Sequence, residues 1–171
     1  TLGIRSINNV VDITNFILHE YGQPLHAFDA SKIEGNKVVV KPAVAASKFI
    51  TLDDKERILI DTDLMICNAT EPMCMAGVYG GAKSGVTAAT TTLFLESAYF
   101  NPMWIRKTSL HHGLRTDAAT HFEKGVDLLQ VPEALYRAID LLGTYANATL
   151  SCAIIDNYPS PIEQRTVTTN L

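Results

Sequence analysis

The sequence is poor in the residues and runs that would mark a disulfide-stapled, metal-binding or membrane protein. Its 171 residues contain only Cys67, Cys74 and Cys152, an odd number without CxxC spacing, which favours free thiols in a reducing compartment. No apolar run is long enough to span a bilayer, and the start has no signal-peptide pattern. We therefore expect no disulfide framework, no metal site, no membrane association and a cytoplasmic location.

Positive charge is also scarce. The 14 lysine and arginine residues are outnumbered by 18 aspartate and glutamate residues, for a net charge of −4. A protein that grips nucleic acid by itself is usually basic, so this chain is not predicted to do so. The balance remains compatible with a site that receives only the tip of a nucleic acid held by another domain.

Apolar spacing and residues typical of helix ends predict four helices. The predicted helices are residues 8–21, 102–111, 117–124 and 129–146. The end signals are N-caps at Asn101 and Thr116, a proline at the first helical position (Pro102), and stops at Gly22, Gly113 and Gly125. Asp117 falls in the first turn of the third helix, a favourable place for a negative charge.

Valine-rich or alternating segments between these helices predict strands. The predicted strands are residues 37–41, 64–67, 73–79, 91–98 and 152–155, with a hairpin that joins 48–52 to 57–60. Pro24 favours a loop over residues 22–29, and the glycines of residues 80–85 indicate a flexible turn. A central block of strands flanked by helices predicts a single α+β domain over residues 1–159, followed by a linker or the start of a next segment over 160–171.

The densest run of functional side chains lies where the second and third helices meet. Arg115 and Thr116 are at this joint, beside backbone N–H groups that the helix ends leave free, and such a joint can grip a polar or anionic ligand. The alternative is an ordinary helix–turn–helix corner without a ligand, and residue spacing alone favours this alternative. The nearby His111, His112 and His121 have no second cluster of ligands to suggest zinc.

Residues 77–84 (GVYGGAKS) differ from a phosphate-binding P-loop at one position, Ala82. A P-loop needs a helix directly after its Lys-Ser pair, whereas Gly85 and a run of β-branched residues follow here. We therefore interpret the glycines of this segment as residues that allow a tight turn and a close approach of the backbone to a ligand.

Glu96 and His26 each allow two interpretations. Glu96 interrupts an apolar strand and shares a face with Phe94, so it is either an edge-strand carboxylate in water, the commoner case, or a carboxylate in a pocket. His26 lies between two apolar residues. It is either a capping or core histidine, the commoner case, or a group that orients water.

Three sets of residues together resemble a known family. They are residues 22–29 (GQPLHAFD), residues 77–81 (GVYGG) with 95–100 (LESAYF), and residues 113–118 (GLRTDA) running to 122–127 (FEKGVD). In this order they resemble the B3/B4 editing domain of bacterial phenylalanyl-tRNA synthetase β chains, over about residues 2–159. One departure is Ala76, where many relatives have a further glycine.

The resemblance implies a mixed, barrel-like β core with flanking helices in a three-layer sandwich. It also implies hydrolysis of the ester of tyrosine wrongly attached to the phenylalanine tRNA, remote from the site that makes aminoacyl esters. The expected partners are the 3′ end of mischarged tRNA(Phe) and, through the full β chain, the synthetase α subunit. No cofactor is expected in this domain, and the parent enzyme is expected to use ATP and Mg²⁺ elsewhere.

The resemblance also assigns roles to individual positions. The substrate-binding set is Glu96, Gly77, Gly80, Ala118, Arg5 and Thr14. The catalytic set is His26, Asn15 and Thr116. Glu96 would recognise the tyrosine hydroxyl, and Ala118 would stay small to leave room for the ring. No nucleophilic side chain is expected at the centre, so water would attack the ester directly, with the role of His26 as base or as orienter left open.

The implied chemistry has a physical rationale. A synthetic pocket built for phenylalanine cannot strongly reject a ligand that merely adds one hydroxyl, whereas a second site can require that hydroxyl. Two alternatives stay open at this point. One is a non-catalytic module that docks the tRNA or the subunit, and the other is a free-standing relative that acts on another aminoacyl ligand.

Overall fold

A computed structural model describes residues 3–158, 160–161 and 166–169 of the chain. Within these ranges the helices are α1 (Asn9–Tyr21), α2 (Pro102–His112), α3 (Asp117–Lys124) and α4 (Gln130–Ala146). The strands are β1 (Leu25–Asp29), β2 (Val39–Pro42), β3 (Lys48–Ile50), β4 (Glu56–Ile58), β5 (Leu64–Cys67), β6 (Pro72–Met75), β7 (Tyr79–Gly80) and β8 (Leu93–Ser97). The predicted domain end at residue 159 lies outside the described residues, as do 162–165 and 170–171 of the predicted linker.

All strand pairs in the described part of the chain are antiparallel. One sheet has the order β2-β5-β6-β7, while β1 pairs with β8 and β3 pairs with β4. The predicted single α+β domain is confirmed. The sheets do not close into a barrel, because isolated bridges such as Phe28–Gly85 and Thr51–Gly81 link them where a closed barrel would need continuous ladders.

The helix ends follow the sequence signals. The side chain of Asn101 accepts a hydrogen bond from the Met103 N–H, and the side chain of Thr116 accepts one from the Ala119 N–H. Gly22 and Gly113 end α1 and α2 with φ of 69° and 65°, in the left-handed region. The predicted boundaries of all four helices are therefore confirmed to within a residue or two.

Three predictions, one of a loop and two of strands, are corrected. Residues 22–29 are not one loop, because β1 forms there through long-range pairing with β8. The predicted strand 73–79 is two strands, because a turn with φ of 66° at Gly77 reverses the chain between β6 and β7. Residues 152–155 form no strand, and both Cys152 and Ile155 are exposed, since no neighbouring strand is available to pair with them.

Two apolar clusters hold the domain together. The larger one packs the β2-β5-β6-β7 sheet against α2 and α3 and includes Phe28, Met75, Ile105 and Phe122. The smaller one joins α1 to α4, with side chains of β1 and β8 packed against it. No helix among the described residues is both long and apolar enough to cross a membrane.

The joint between α2 and α3 is anchored to the strands by buried polar contacts. His112 Nε2 lies 2.7 Å from Asp63 Oδ2, and the two side chains are 5% and 0% exposed. Arg57 donates from Nη1 to the His112 carbonyl at 3.0 Å. Ser109 Oγ donates to the Leu114 carbonyl at 2.7 Å. The backbone that leads into α3 is thereby fixed from two sides.

His112→Ala should lower the free energy of unfolding by about 1–3 kcal/mol, because it removes a buried side-chain hydrogen bond to Oδ2 of the Asp63 carboxylate and leaves that oxygen only the Ile60 N–H. The measurement is urea unfolding near neutral pH, with His111→Ala as the matched control. His111 is exposed, so its removal should change stability by less than about 1 kcal/mol. Equal losses in the two variants would show that the His112–Asp63 contact does not anchor the joint.

Candidate functional site

A cavity of about 280 Å³ opens between α1, α3 and the strands β1, β6, β7 and β8. Eight of the nine residues assigned to the site from the sequence line it. These eight are Thr14, Asn15, His26, Gly77, Gly80, Glu96, Thr116 and Ala118. The ninth, Arg5, is exposed in the segment before α1 and does not line the cavity.

The β1–β8 ladder sets the two titratable side chains of the cavity wall side by side. His26 pairs directly with Glu96 in the antiparallel register, and Phe28 pairs with Phe94 two residues along. Residues paired in this way project to the same face of the sheet. The predicted sharing of one face by Phe94 and Glu96 is therefore confirmed, and His26 joins them there.

Glu96 is on an edge strand and lines the cavity, which favours the interpretation as a carboxylate in a pocket. Burial raises its pKa from 4.5 to about 7. The residue is still partly exposed, and the buried thiol of Cys74 is close enough to interact with its charge. No described residue donates a hydrogen bond to this carboxylate, so it is available to a donor on a ligand.

His26 is held neutral by the same environment. Burial lowers its pKa from 6.5 to about 4. Its Nε2 is inaccessible to solvent and has no hydrogen-bond partner among the described residues. The ring packs edge-on against Phe28 with centroids 4.4 Å apart. A neutral imidazole can orient a water or ligand group, but a pKa near 4 makes it a weak base at neutral pH.

The Thr116 hydroxyl joins the two walls of the cavity. It accepts a hydrogen bond from the Ala119 N–H at 3.1 Å and donates one to the Val78 carbonyl at 2.9 Å. The hydroxyl hydrogen is therefore already used in a hydrogen bond, and the oxygen has one remaining lone pair that could accept a hydrogen bond from a water. On the opposite side, Thr14 donates to the Val11 carbonyl, and the Asn15 side chain has no hydrogen-bond partner among the described residues.

Glycine is required at two lining positions for different reasons. Gly77 has φ of 66°, and a Cβ there would lie 2.9 Å from ring carbons of both Phe100 and Phe122. Gly80 has no unusual φ, but a Cβ there would lie 2.7 Å from Leu52 and 3.3 Å from His26 Cε1. The first glycine makes the turn, and the second leaves room for the histidine.

Other lining residues were not identified from the sequence. They are Leu18, Pro24, Leu25, Leu52, Cys74, Val78, Tyr79, Phe100, Asp117 and Phe122. Most are apolar side chains whose role depends on how distant strands meet, for which no local signal exists. Cys74 is a thiol whose pKa burial raises well above its usual value, and its Sγ donates to backbone carbonyls. It is therefore poorly suited to act as a nucleophile.

The remaining sequence motifs have no ligand site of their own. The element that follows Ser84 is the strand β8 and not a helix, and the Ser84 hydroxyl donates to the Met73 carbonyl at 2.9 Å. Residues 77–84 therefore do not form a P-loop. Among the described residues, no group of three or more His, Cys, Asp or Glu side chains could hold a metal ion.

Comparison with known proteins identifies the type of domain. The family model for the B3/4 domain matches residues 1–147. The chain is 54% identical over 155 residues to the phenylalanine–tRNA ligase beta subunit of Bacteroides thetaiotaomicron, covering 91% of this chain and 19% of that protein. It is 48% identical over 169 residues to that of Halalkalibacterium halodurans, covering 99% and 21%. The chain thus spans about a fifth of the length of the curated relatives it matches.

Gly77→Ala should destabilise the domain more than Gly113→Ala. Both positions have φ near 65°, which costs an L-residue about 1–2 kcal/mol, but a Cβ at Gly113 meets nothing within 4 Å. At Gly77 the overlap with Phe100 and Phe122 should add about 1–3 kcal/mol. Urea unfolding of the two variants measures the difference, and equal losses would show that the turn alone requires glycine at position 77.

Glu96→Gln should stabilise the domain at alkaline pH and have little effect at acid pH. The folded pKa of about 7 exceeds the unfolded value of 4.5, so the native state binds the proton more tightly. The contribution of Glu96 to the free energy of unfolding therefore falls as pH rises from 4.5 to 7. The gain in the variant should be on the order of 1–3 kcal/mol at pH 8 and small at pH 5. The exposed Glu56→Gln is the control, and a gain independent of pH would contradict the desolvated carboxylate.

Proposed function

The chain belongs to the B3/4 domain family, and we propose that it hydrolyses the ester of tyrosine mischarged on the phenylalanine tRNA. Its relatives are beta subunits of phenylalanine–tRNA ligase, so the proposed setting is such a subunit. The observation that carries the proposal is a single desolvated carboxylate, Glu96, without a hydrogen-bond donor in an otherwise largely apolar cavity.

The carboxylate explains how such a site would discriminate. A phenolic hydroxyl that enters the cavity can donate to Glu96, which stabilises the bound tyrosine. A phenylalanine ring would fill the same space and leave the carboxylate without a donor, at a cost of about 1–3 kcal/mol or more for a charged group. Tyrosine is then retained for hydrolysis, and the correct phenylalanyl ester is released intact.

The chemical step is proposed to be direct attack by water. The water oxygen adds to the ester carbonyl carbon, and the bond to the ribose oxygen breaks, which yields free tyrosine and a tRNA end with its hydroxyl restored. The water's proton passes to the departing ribose oxygen. Asn15, the His26 imidazole and the free lone pair of Thr116 would orient the water. We assign His26 orientation in place of general base catalysis, because its pKa of about 4 gives it little basicity.

The rest of the proposed protein supplies what this chain lacks. The overall charge of −4 suits a domain to which other domains deliver only the tRNA 3′ end. Arg5, exposed outside the cavity, is available to contact the terminal nucleotide. We place the protein in the cytoplasm, with the ligase α subunit as a partner through the full β chain and with ATP and Mg²⁺ used at the synthetic site.

Glu96→Ala in the complete ligase should abolish the preference for the tyrosyl ester. Hydrolysis of tRNA(Phe) charged with tyrosine should slow by about tenfold or more, since one charge-assisted hydrogen bond is lost. The phenylalanyl ester should remain as stable as with the unaltered enzyme. The measurement is loss of each labelled ester over time. Glu123→Ala, on a helix near the site but not lining the cavity, is the control.

Two other results would assign a different role. If the unaltered ligase leaves both esters intact, the domain is a docking module for tRNA or subunit. If it prefers another aminoacyl ester to the tyrosyl one, the site serves a different ligand, as a free-standing relative would.

A further inference from the structure

The cavity holds a second carboxylate to which the proposed reaction has so far given no role. Asp117, the first residue of α3, lines the cavity and is exposed to solvent. It forms no ion pair or hydrogen bond with any described residue. The N-cap bond of Thr116 fixes the start of the helix directly beside it.

The charged side chains that line the cavity are carboxylates. Among the described residues, the ionisable side chains that line it are His26, Cys74, Tyr79, Glu96 and Asp117, with no lysine or arginine. The His26 imidazole is neutral near pH 7, and the Cys74 thiol stays protonated. A ligand with a positive charge is therefore favoured. An aminoacyl ester has one such group, its α-amino group, since α-amino groups with pKa of about 8 are mostly protonated at pH 7.

The chemistry of the ester sets which carboxylate meets which group. The ester bond joins the amino acid to a tRNA too large to enter the cavity, so the ester end must face the opening. The α-amino group is on the carbon next to the ester carbonyl and so also lies near the opening. The phenolic hydroxyl is at the far end of the ring. Asp117 is exposed, as a residue at the opening would be, whereas Glu96 is desolvated.

We propose that Asp117 binds the α-ammonium group of the aminoacyl ester and so selects esters with a free amine. This inference rests on the proposed function and adds a second recognition contact to it. Glu96 would recognise the side chain of the amino acid, and Asp117 would recognise its α-amino group. An ester whose nitrogen is acylated, or replaced by a hydroxyl, loses the second contact and keeps the first.

The test compares two esters that differ only at the amine. Tyrosine and 4-hydroxyphenyllactate, in which a hydroxyl replaces the ammonium group, are each attached to tRNA(Phe). Hydrolysis by the complete ligase is measured as KM and kcat. Asp117→Asn should raise KM for the tyrosyl ester by about tenfold and leave the hydroxy-acid ester unchanged. Glu123→Gln removes the same charge from the same helix without touching the cavity and should change neither.

Each alternative result has a defined meaning. Equal slowing of both esters by Asp117→Asn would mean that the carboxylate serves only the start of α3, and the inference fails while the proposed function stands. An unaltered enzyme that hydrolyses neither ester overturns both. An unaltered enzyme that treats the two esters alike shows that the amine is not recognised, which overturns the inference alone.

Discussion

The pairing of β1 with β8 is the interaction on which the site depends. These strands are far apart in the chain, yet their ladder runs from Leu25–Ser97 to Asp29–Leu93. It places His26 opposite Glu96 and brings α1 and the Gly77 turn to either side of them. Gln23, buried before β1, extends the contact by donating to the Ala98 carbonyl at 2.8 Å. A slip of one residue in this register would put His26 and Glu96 on opposite faces of the sheet.

The same burial has opposite effects on the two groups that the ladder brings together. Desolvation disfavours any charge, so it raises the pKa of Glu96 and lowers that of His26. Near neutral pH the histidine is uncharged and the carboxylate is close to its midpoint. The native state therefore holds two polar groups that water would solvate better. In the proposed function, that loss of stability would be the source of selectivity, because a ligand that supplies the missing hydrogen bond recovers it.

Local signals predicted the helices well because their causes are local. Asn101, Thr116, Gly22 and Gly113 act within one turn of the chain. The β1 strand was missed for the opposite reason, since Pro24 suggested a loop and only a partner about 70 residues away makes a strand there. All nine site residues came from resemblance to a family and not from spacing, which by itself favoured a surface position for Glu96. Arg5 is the one that the cavity does not include.

The shape of the cavity is determined largely by residues behind its walls. Two aromatic rings leave no space for a side chain at the Gly77 turn. At Gly80, His26 and Leu52 occupy the space that a side chain would need. The α3 wall is held by the Thr116 hydroxyl, whose bond to the Val78 carbonyl ties it to the Gly77 turn. The proposed discrimination between ligands that differ by one hydroxyl requires groups that do not relax around the wrong ligand, so it depends on the packing of the domain as much as on Glu96.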